Sequence, residues 1–297
     1  MKDPAGQDDD LILRAPTEAD IEECGRIVWE AFDGVSSTRS FPPEFPSPEA
    51  AAGLIAAWVG HPAVFGVVAE RHGRVVGSNF LDERDPIRGV GPISVDPEAQ
   101  ASGAGRALME AVLERGRDAA GIRLLQDAHN PVSMSLYASL GFVAREPVVR
   151  IGGRPAGAPS ERHEVRTMEE RDLEACERLC GEVHGFSRTG ELRDALTGPM
   201  LTPLVALCDG RVRAYASSVA IWQLAHGVAE TEEDLTALML GAGAVSPEPI
   251  DVLLPIRVAR LFRWCLAQGL RVVKPMTLMT IGEYHDPHGS WFPSVAY

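Results

Sequence analysis

The sequence predicts an α+β protein of two domains, each a central mixed, mostly antiparallel sheet flanked by helices. Three observations lead there. The stretch Val90–Leu113 reads strand, turn, helix: Val90, Ile93 and Val95 are apolar, Asp96-Pro97 ends the run, and Leu108, Met109, Val112 and Leu113 recur at helical spacing. The strand-like runs Val64–Glu70 and Arg74–Leu81 flank His72-Gly73, as in a hairpin. The chain also repeats itself. Leu13-Arg14 through Glu30 align with Val165-Arg166 through Glu182 at an offset of 152, pairing Arg14 with Arg166, Asp20 with Asp172 and Cys24 with Cys176. The hairpin recurs as Gly210-Arg211-Val212 at offset 137, and Gly141 and Pro147 recur as Gly269 and Pro275 at offset 128.

Composition bounds the function. With 297 residues, 45% hydrophobic and 24% charged, the chain has interior enough for two ordinary domains. A net charge of −14 argues against nucleic acid, whose phosphates need basic patches. No apolar run approaches the roughly 20 residues of a membrane span, and residues 1–10 read as an acidic, flexible N-terminus, so a cytoplasmic protein without a membrane partner is expected. Five cysteines without a recurrent framework suit reduced thiols, and Cys176 and Cys180, four apart on a helix, read as core thiols.

In chain order, Leu11–Leu13 is a strand, followed by a helix from near Thr17 whose Ile21, Cys24, Val28 and Phe32 share one face; Thr17 with Asp20 is a capping box. From Asp33 to Pro48 the pattern breaks into a proline-rich stretch holding Phe41 and Phe45, either a surface connection or a substrate loop. Pro48 opens a helix with Leu54, Ile55 and Trp58 on its apolar side. After the hairpin, Gly91-Pro92 interrupts Val90–Val95, and a proline there marks an edge or a bulge. Gln100-Ala101-Ser102-Gly103-Ala104-Gly105 then leaves small residues at a helix N-terminus, where unpartnered amides and the helix dipole make an anion cradle. It is neither a P-loop, since Arg106-Ala107 follows Gly105, nor a dinucleotide fingerprint, since Leu108 is not small. Strands at Ile122–Gln126 and Val143–Ile151 bracket the helix after Asn130, and residues 152–160 are a linker by composition.

Gln100-x-x-Gly103-x-Gly105 after a Val-x-Pro strand resembles the acyl-CoA-binding motif of the GNAT acyltransferase superfamily, and Asn130, Tyr137 and Leu140-Gly141-Phe142 resemble its second motif, in the family's order. The resemblance implies a tandem GNAT protein: a catalytic domain at 11–151, the linker, and a degenerate GNAT-like domain at 161–297 with nothing like Gln-x-x-Gly-x-Gly before its helix at Thr231–Ala244.

It also implies roles. Backbone of Gln100, Ala101, Ser102, Gly103, Ala104, Gly105 and Arg106 would hold the pyrophosphate of acetyl-CoA; Ile93 and Val95 would pair with its pantetheine arm, the Val95 N–H stabilising the oxyanion. Asn130, Ser133 and Tyr137 would form the other wall, with Tyr137 as general acid. Asn130 reads equally as the cap of a helix at Pro131. The base is open: the strand has no acid, leaving Asp82, Glu83, Asp85, His129, a water chain or the C-terminal carboxylate of Tyr297. Phe41 and Phe45, with Asp82, His129 and Tyr297, are the substrate-side candidates. No metal is expected, and His285-Asp286-Pro287-His288 reads as a turn. The expected reaction is acetyl transfer from acetyl-CoA to a small-molecule amine, with room for a homo-oligomer. The alternative is a non-catalytic acyl-CoA sensor or interaction protein.

Overall fold

The structure, a computed structural model, describes residues 11–295; the first ten residues and Tyr297 lie outside them. Compactness divides the chain into one unit of residues up to Glu83 with Arg88–Ala119, and another of Arg84–Ile87 with the chain from Ala120 onward. That division follows contacts, whereas the 152–160 linker follows composition; the two cut the chain at different places.

In the first unit, strand β1 (Leu11–Arg14) leads through a short 3-10 turn into helix α1 (Ile21–Ser37). Asp20 closes the predicted capping box and also takes both guanidinium nitrogens of Arg14 at 2.8 Å. Helix α1 runs to Ser37, five residues into the stretch expected to be irregular; Ser36 is buried there and donates to Glu44 (3.4 Å). Helix α2 (Pro48–Val59) is capped by Ser47 and buries Ala51, Ile55 and Trp58. Strands β2 (Val64–Arg71) and β3 (Arg74–Asp82) form the hairpin, with His72 and Gly73 both at positive φ (51° and 75°), as a two-residue primed turn requires.

The expected single strand Val90–Val95 is two: β4 (Ile87–Val90) and β5 (Ser94–Val95), both antiparallel to β3. Leu81 faces Val90, but Gly77 faces Val95, so the broken strand carries one extra residue around Gly91-Pro92. Helix α3 (Ala104–Arg115) follows and buries Leu108, Met109 and Val112.

In the second unit, β6 (Gly121–Asp127), α4 (Pro131–Ser139) and β7 (Val143–Gly153) complete the first repeat. The second repeat contributes β8 (His163–Thr167), α5 (Leu173–His184), α6 (Thr189–Thr197), β9 (Leu204–Cys208), β10 (Arg211–Ala216), β11 (Gly227–Ala229), α7 (Glu232–Val245), β12 (Ile250–Pro255), α8 (Ala259–Ala267), β13 (Arg271–Gly282) and β14 (Ser290–Phe292). The repeat shows in detail: Arg166 clamps Asp172 (2.7 and 2.8 Å) within a capping box, as Arg14 clamps Asp20.

One five-stranded sheet runs β14-β11-β10-β9-β8. Elsewhere in this unit the order β6-β13-β7-β12 exchanges strands between repeats: β13 of the second repeat lies between β6 and β7 of the first, and β7 lies between β13 and β12. The registers correspond under the offset of 128. Met276 opposite Asp127 becomes Val148 opposite Pro255, and Ile281 opposite Ile122 becomes Gly153 opposite Ile250. Strand β7 therefore extends two residues into the expected linker, because Gly152 and Gly153 pair with β12.

Candidate active site

The cradle motif sits at the N-terminus of α3. Gly103 is its N-cap in the left-handed region (φ 86°), with open space where a Cβ would stand. Ala101 also has positive φ (60°), and Gln100, Ala101, Gly103 and Arg106 are exposed. The first amide held inside the helix is that of Ala107, on the Gly103 carbonyl (3.1 Å); those of Ala104, Gly105 and Arg106 precede it. Arg71 fixes the loop by donating to the Ser102 carbonyl (3.2 Å). Three amides, a helix dipole and no bulky side chain suit a pyrophosphate. The second repeat inverts this. At the positions 128 residues on, α7 begins Glu232-Glu233-Asp234, its N-terminus capped by the Thr231 hydroxyl accepting from Asp234 N–H (3.2 Å). Three carboxylates there repel an anion.

Val95 is the other backbone candidate in this unit. Asp96 N–H bonds the Val76 carbonyl (2.9 Å), so the alternating ladder places Val95, opposite Gly77, in a non-hydrogen-bonded pair; its N–H points away from β3. Ile93 lies two residues earlier in the irregular stretch. Phe45 packs edge-on against Phe32, with ring centroids 6.3 Å apart, and Phe41 is half-buried. Asp82 is buried on β3, while Glu83 is engaged by Arg88 (2.8 Å) and Arg115 (2.7 Å).

The second motif lies in the other unit. Asn130 is the N-cap of α4: its Oδ1 accepts from Val132 (3.2 Å) and Ser133 (3.3 Å) N–H. Ser133 donates to Gln126 Oε1 at 3.1 Å. Tyr137 is buried beside Phe142, and burial first, then the charge of Asp127, pushes its phenol well above the ordinary value. A phenol so placed keeps its proton through the neutral range. Asp85 is a structural acceptor here, capping α6 through Gly190 (2.9 Å) and Glu191 (3.1 Å) N–H, and His129 lies 4.0 Å from Asp127.

Residues 29–142 match the acetyltransferase (GNAT) family. That stretch is similar to the GNAT domain of the family. Over nearly its whole length the chain shares its fold with solved structures. It is similar to a putative acetyltransferase from Pyrococcus horikoshii at 16% identity and TM-score 0.73, over 98% of this chain and 97% of that one. It is similar to a GCN5-related N-acetyltransferase from Sphaerobacter thermophilus at 16% identity and TM-score 0.60, over 96% and 100%. A tandem GNAT protein of the clavulanic acid biosynthesis pathway is 15% identical with TM-score 0.56, over 96% and 100%. No curated protein matches by sequence. Among the described residues no helix is long and apolar enough to cross a membrane.

Three polar groupings around the GNAT domain's second motif and in the second repeat escaped sequence reasoning. Lys274 of β13 bonds Asp127 at 2.6 Å, both buried. A buried network joins Arg188 to Glu191, Ser217 to Glu191 (3.1 Å) and Arg188 to Ser294 (3.3 Å), with His226 3.8 Å from Glu191. His163, Cys208 and Asp234 bring ligand atoms within 4.8 Å of one another, but His163 and Asp234 already pair at 3.1 Å and Arg213 lies 3.7 Å from Asp234, which explains the trio without an ion. Cys176 and Cys180 are core thiols, pushed by burial to about 12 and about 11.

Proposed function

We propose that this GNAT protein transfers an acetyl group from acetyl-CoA to the amine of a small molecule, with the chemistry in its first repeat. The observation that carries the reading is the contrast between the two helix N-termini: an open Gly103-Ala104-Gly105 cradle in one repeat and a capped Glu232-Glu233-Asp234 turn in the other. In this reading the amides from Gln100 to Arg106 hold the pyrophosphate, and the outward N–H of Val95 supports the oxyanion. Asn130, as helix cap, and Ser133 shape the second motif, and Tyr137, protonated through the neutral range, acts as hydrogen-bond and proton donor to the departing thiolate. The second repeat has a structural part, which its exchanged strands support.

A thiol-release assay with acetyl-CoA against polyamines, amino acids, aminoglycosides and short peptides tests this, beside calorimetric titration of CoA. Turnover with one amine class establishes the enzyme and its acceptor. Binding of CoA without turnover on any amine favours an acyl-CoA sensor, and absence of CoA binding overturns the reading of the cradle.

A further inference from the structure

The turn that leads from the linker into β8 brings a hydroxyl, an imidazole and a carboxylate together, all within the second unit. His163 N–H closes that turn on the Ser160 carbonyl (2.9 Å), which sets the two side chains against each other: Ser160 Oγ lies 2.8 Å from His163 Nδ1. The other ring nitrogen, Nε2, lies 3.1 Å from Asp234 Oδ1 on α7. The second carboxylate oxygen is held separately, since the Thr231 hydroxyl donates to Oδ2 (2.6 Å) and Arg213 Nε stands 3.7 Å from it. The side chains of His163 and Asp234 are only 3% and 5% exposed, whereas Ser160 is exposed.

The chemistry of the partners fixes the protons. An ionised carboxylate only accepts, so Nε2 carries the ring hydrogen, and the neutral imidazole presents the lone pair of Nδ1 to the Ser160 hydroxyl. That is the order of a nucleophilic triad, with the two ring nitrogens exchanged. Cys208 faces His163 in the β8–β9 ladder with its sulfur within 4.8 Å of a ring nitrogen, but both nitrogens are already engaged at 3.1 Å or less, so the hydroxyl and not the thiol is placed to give the ring its proton. The repeat does not require these residues: at offsets of 152 and 128 the first copy has Leu11 in place of His163 and Arg106 in place of Asp234.

We propose that Ser160, His163 and Asp234 form a nucleophilic triad in the second repeat, on which Ser160 takes the acyl group of an activated carboxylic ester. This activity is separate from acetyl transfer to an amine and needs neither acetyl-CoA nor the cradle. Ser160 Oγ forms the bond to the ester carbonyl carbon while its proton passes to His163 Nδ1. The bond from that carbon to the leaving oxygen breaks, and the departing alkoxide or phenoxide takes the proton from Nδ1. Water then adds to the acyl carbon, giving a proton to Nδ1, and Ser160 Oγ leaves and recovers it. Ester and water become carboxylic acid and alcohol, while Asp234 stays ionised, orienting the ring and balancing the imidazolium.

The test treats full-length protein with a fluorophosphonate, locating the adduct by peptide mass spectrometry, and with p-nitrophenyl acetate, following p-nitrophenolate release. A serine hydroxyl without a base beside it is a weak nucleophile, so the fluorophosphonate should label Ser160, with loss of fluoride, and no other serine. Ser160→Ala changes one exposed linker residue, should keep the wild-type urea midpoint, and should lose both the adduct and the p-nitrophenolate release above that of free imidazole. Asp234→Asn keeps the size of the side chain, but its amide would donate to Nε2 and turn the Nδ1 hydrogen toward the hydroxyl, so release should fall about 1,000-fold. Cys208→Ala should leave adduct and release unchanged. Absence of an adduct on Ser160 overturns the proposal, as does equal release from wild type and Ser160→Ala, or full release from folded Asp234→Asn. The decision rests on Ser160→Ala, and none of these outcomes depends on whether any amine is acetylated.

Discussion

Val148 and Met276 face each other in the β7–β13 ladder, and each is the counterpart of the other at the offset of 128. The local two-fold relation between the repeats passes between them. Both are buried in one apolar cluster with Leu253, Leu278 and Trp291. Because the exchanged strands meet here, the first repeat is not a closed domain.

Truncation after the 152–160 linker should therefore fail. Strands β6 and β7 would lose β13 from between them and expose Ile122, Leu124, Val149 and Ile151, an unpaired apolar edge of the kind that aggregates. Size-exclusion chromatography of the truncated chain should give aggregate; a monodisperse, folded fragment would contradict the exchange.

Gly103→Glu should abolish CoA binding, lowering affinity at least about 100-fold by calorimetry, because a carboxylate would enter the cradle on a residue held at φ 86°. Gly103→Ala separates the two causes. It keeps the site uncharged and should cost about 1 kcal/mol of stability from the left-handed backbone alone.

Asn130→Ala removes the cap of α4 and should cost about 1 kcal/mol in urea denaturation. An unchanged urea midpoint would mean that the two amides find other partners.

Tyr137→Phe should cut turnover about 100-fold with CoA affinity intact. Since burial pushes the phenol upward, the wild-type rate should show no loss of this donor up to about pH 10. An alkaline decline near neutral pH that vanishes in Tyr137→Phe would contradict this.

Burial first, then the nearby cations Arg123 and Arg188, hold His184 well below its ordinary value, and burial and Arg188 do the same for His226; both are neutral in the folded protein. In the unfolded chain they titrate near about 6.5. The folded state then binds fewer protons, so this contribution to stability is complete above about pH 6.5 and is lost as pH falls below it. Urea midpoints should drop between pH 7.5 and pH 5, less so in His226→Gln; equal drops would place the sensitivity elsewhere.

Much of this was legible in the sequence because the determinants are local. His72-Gly73 announces a primed turn, Thr17-Asp20 a capping box, and Gly103 a left-handed cap, each through a few adjacent residues. The offset of 152 located α5, and the helix expected at Thr231–Ala244 is α7 shifted by one residue. The extension of α1 was hidden because Asp33, Gly34, Ser36 and Ser37 are poor helix formers, and it depends on Ser36 reaching Glu44, eight residues away. Asp85 looked like a loop acid but caps α6 from more than a hundred residues away. Lys274 was hidden most deeply: an offset says which strand resembles which, but not which sheet a strand joins.

The exchanged strands make assembly state a property of the 152–160 connection. A chain supplies its own β13 only while the link from Gly153 to His163 lets the second repeat reach back onto β6 and β7. Shorten that link beyond its reach and the same ladders can still form, but with strands donated by another copy, turning a self-contained chain into an intertwined dimer with no contact altered along β6, β7 and β13.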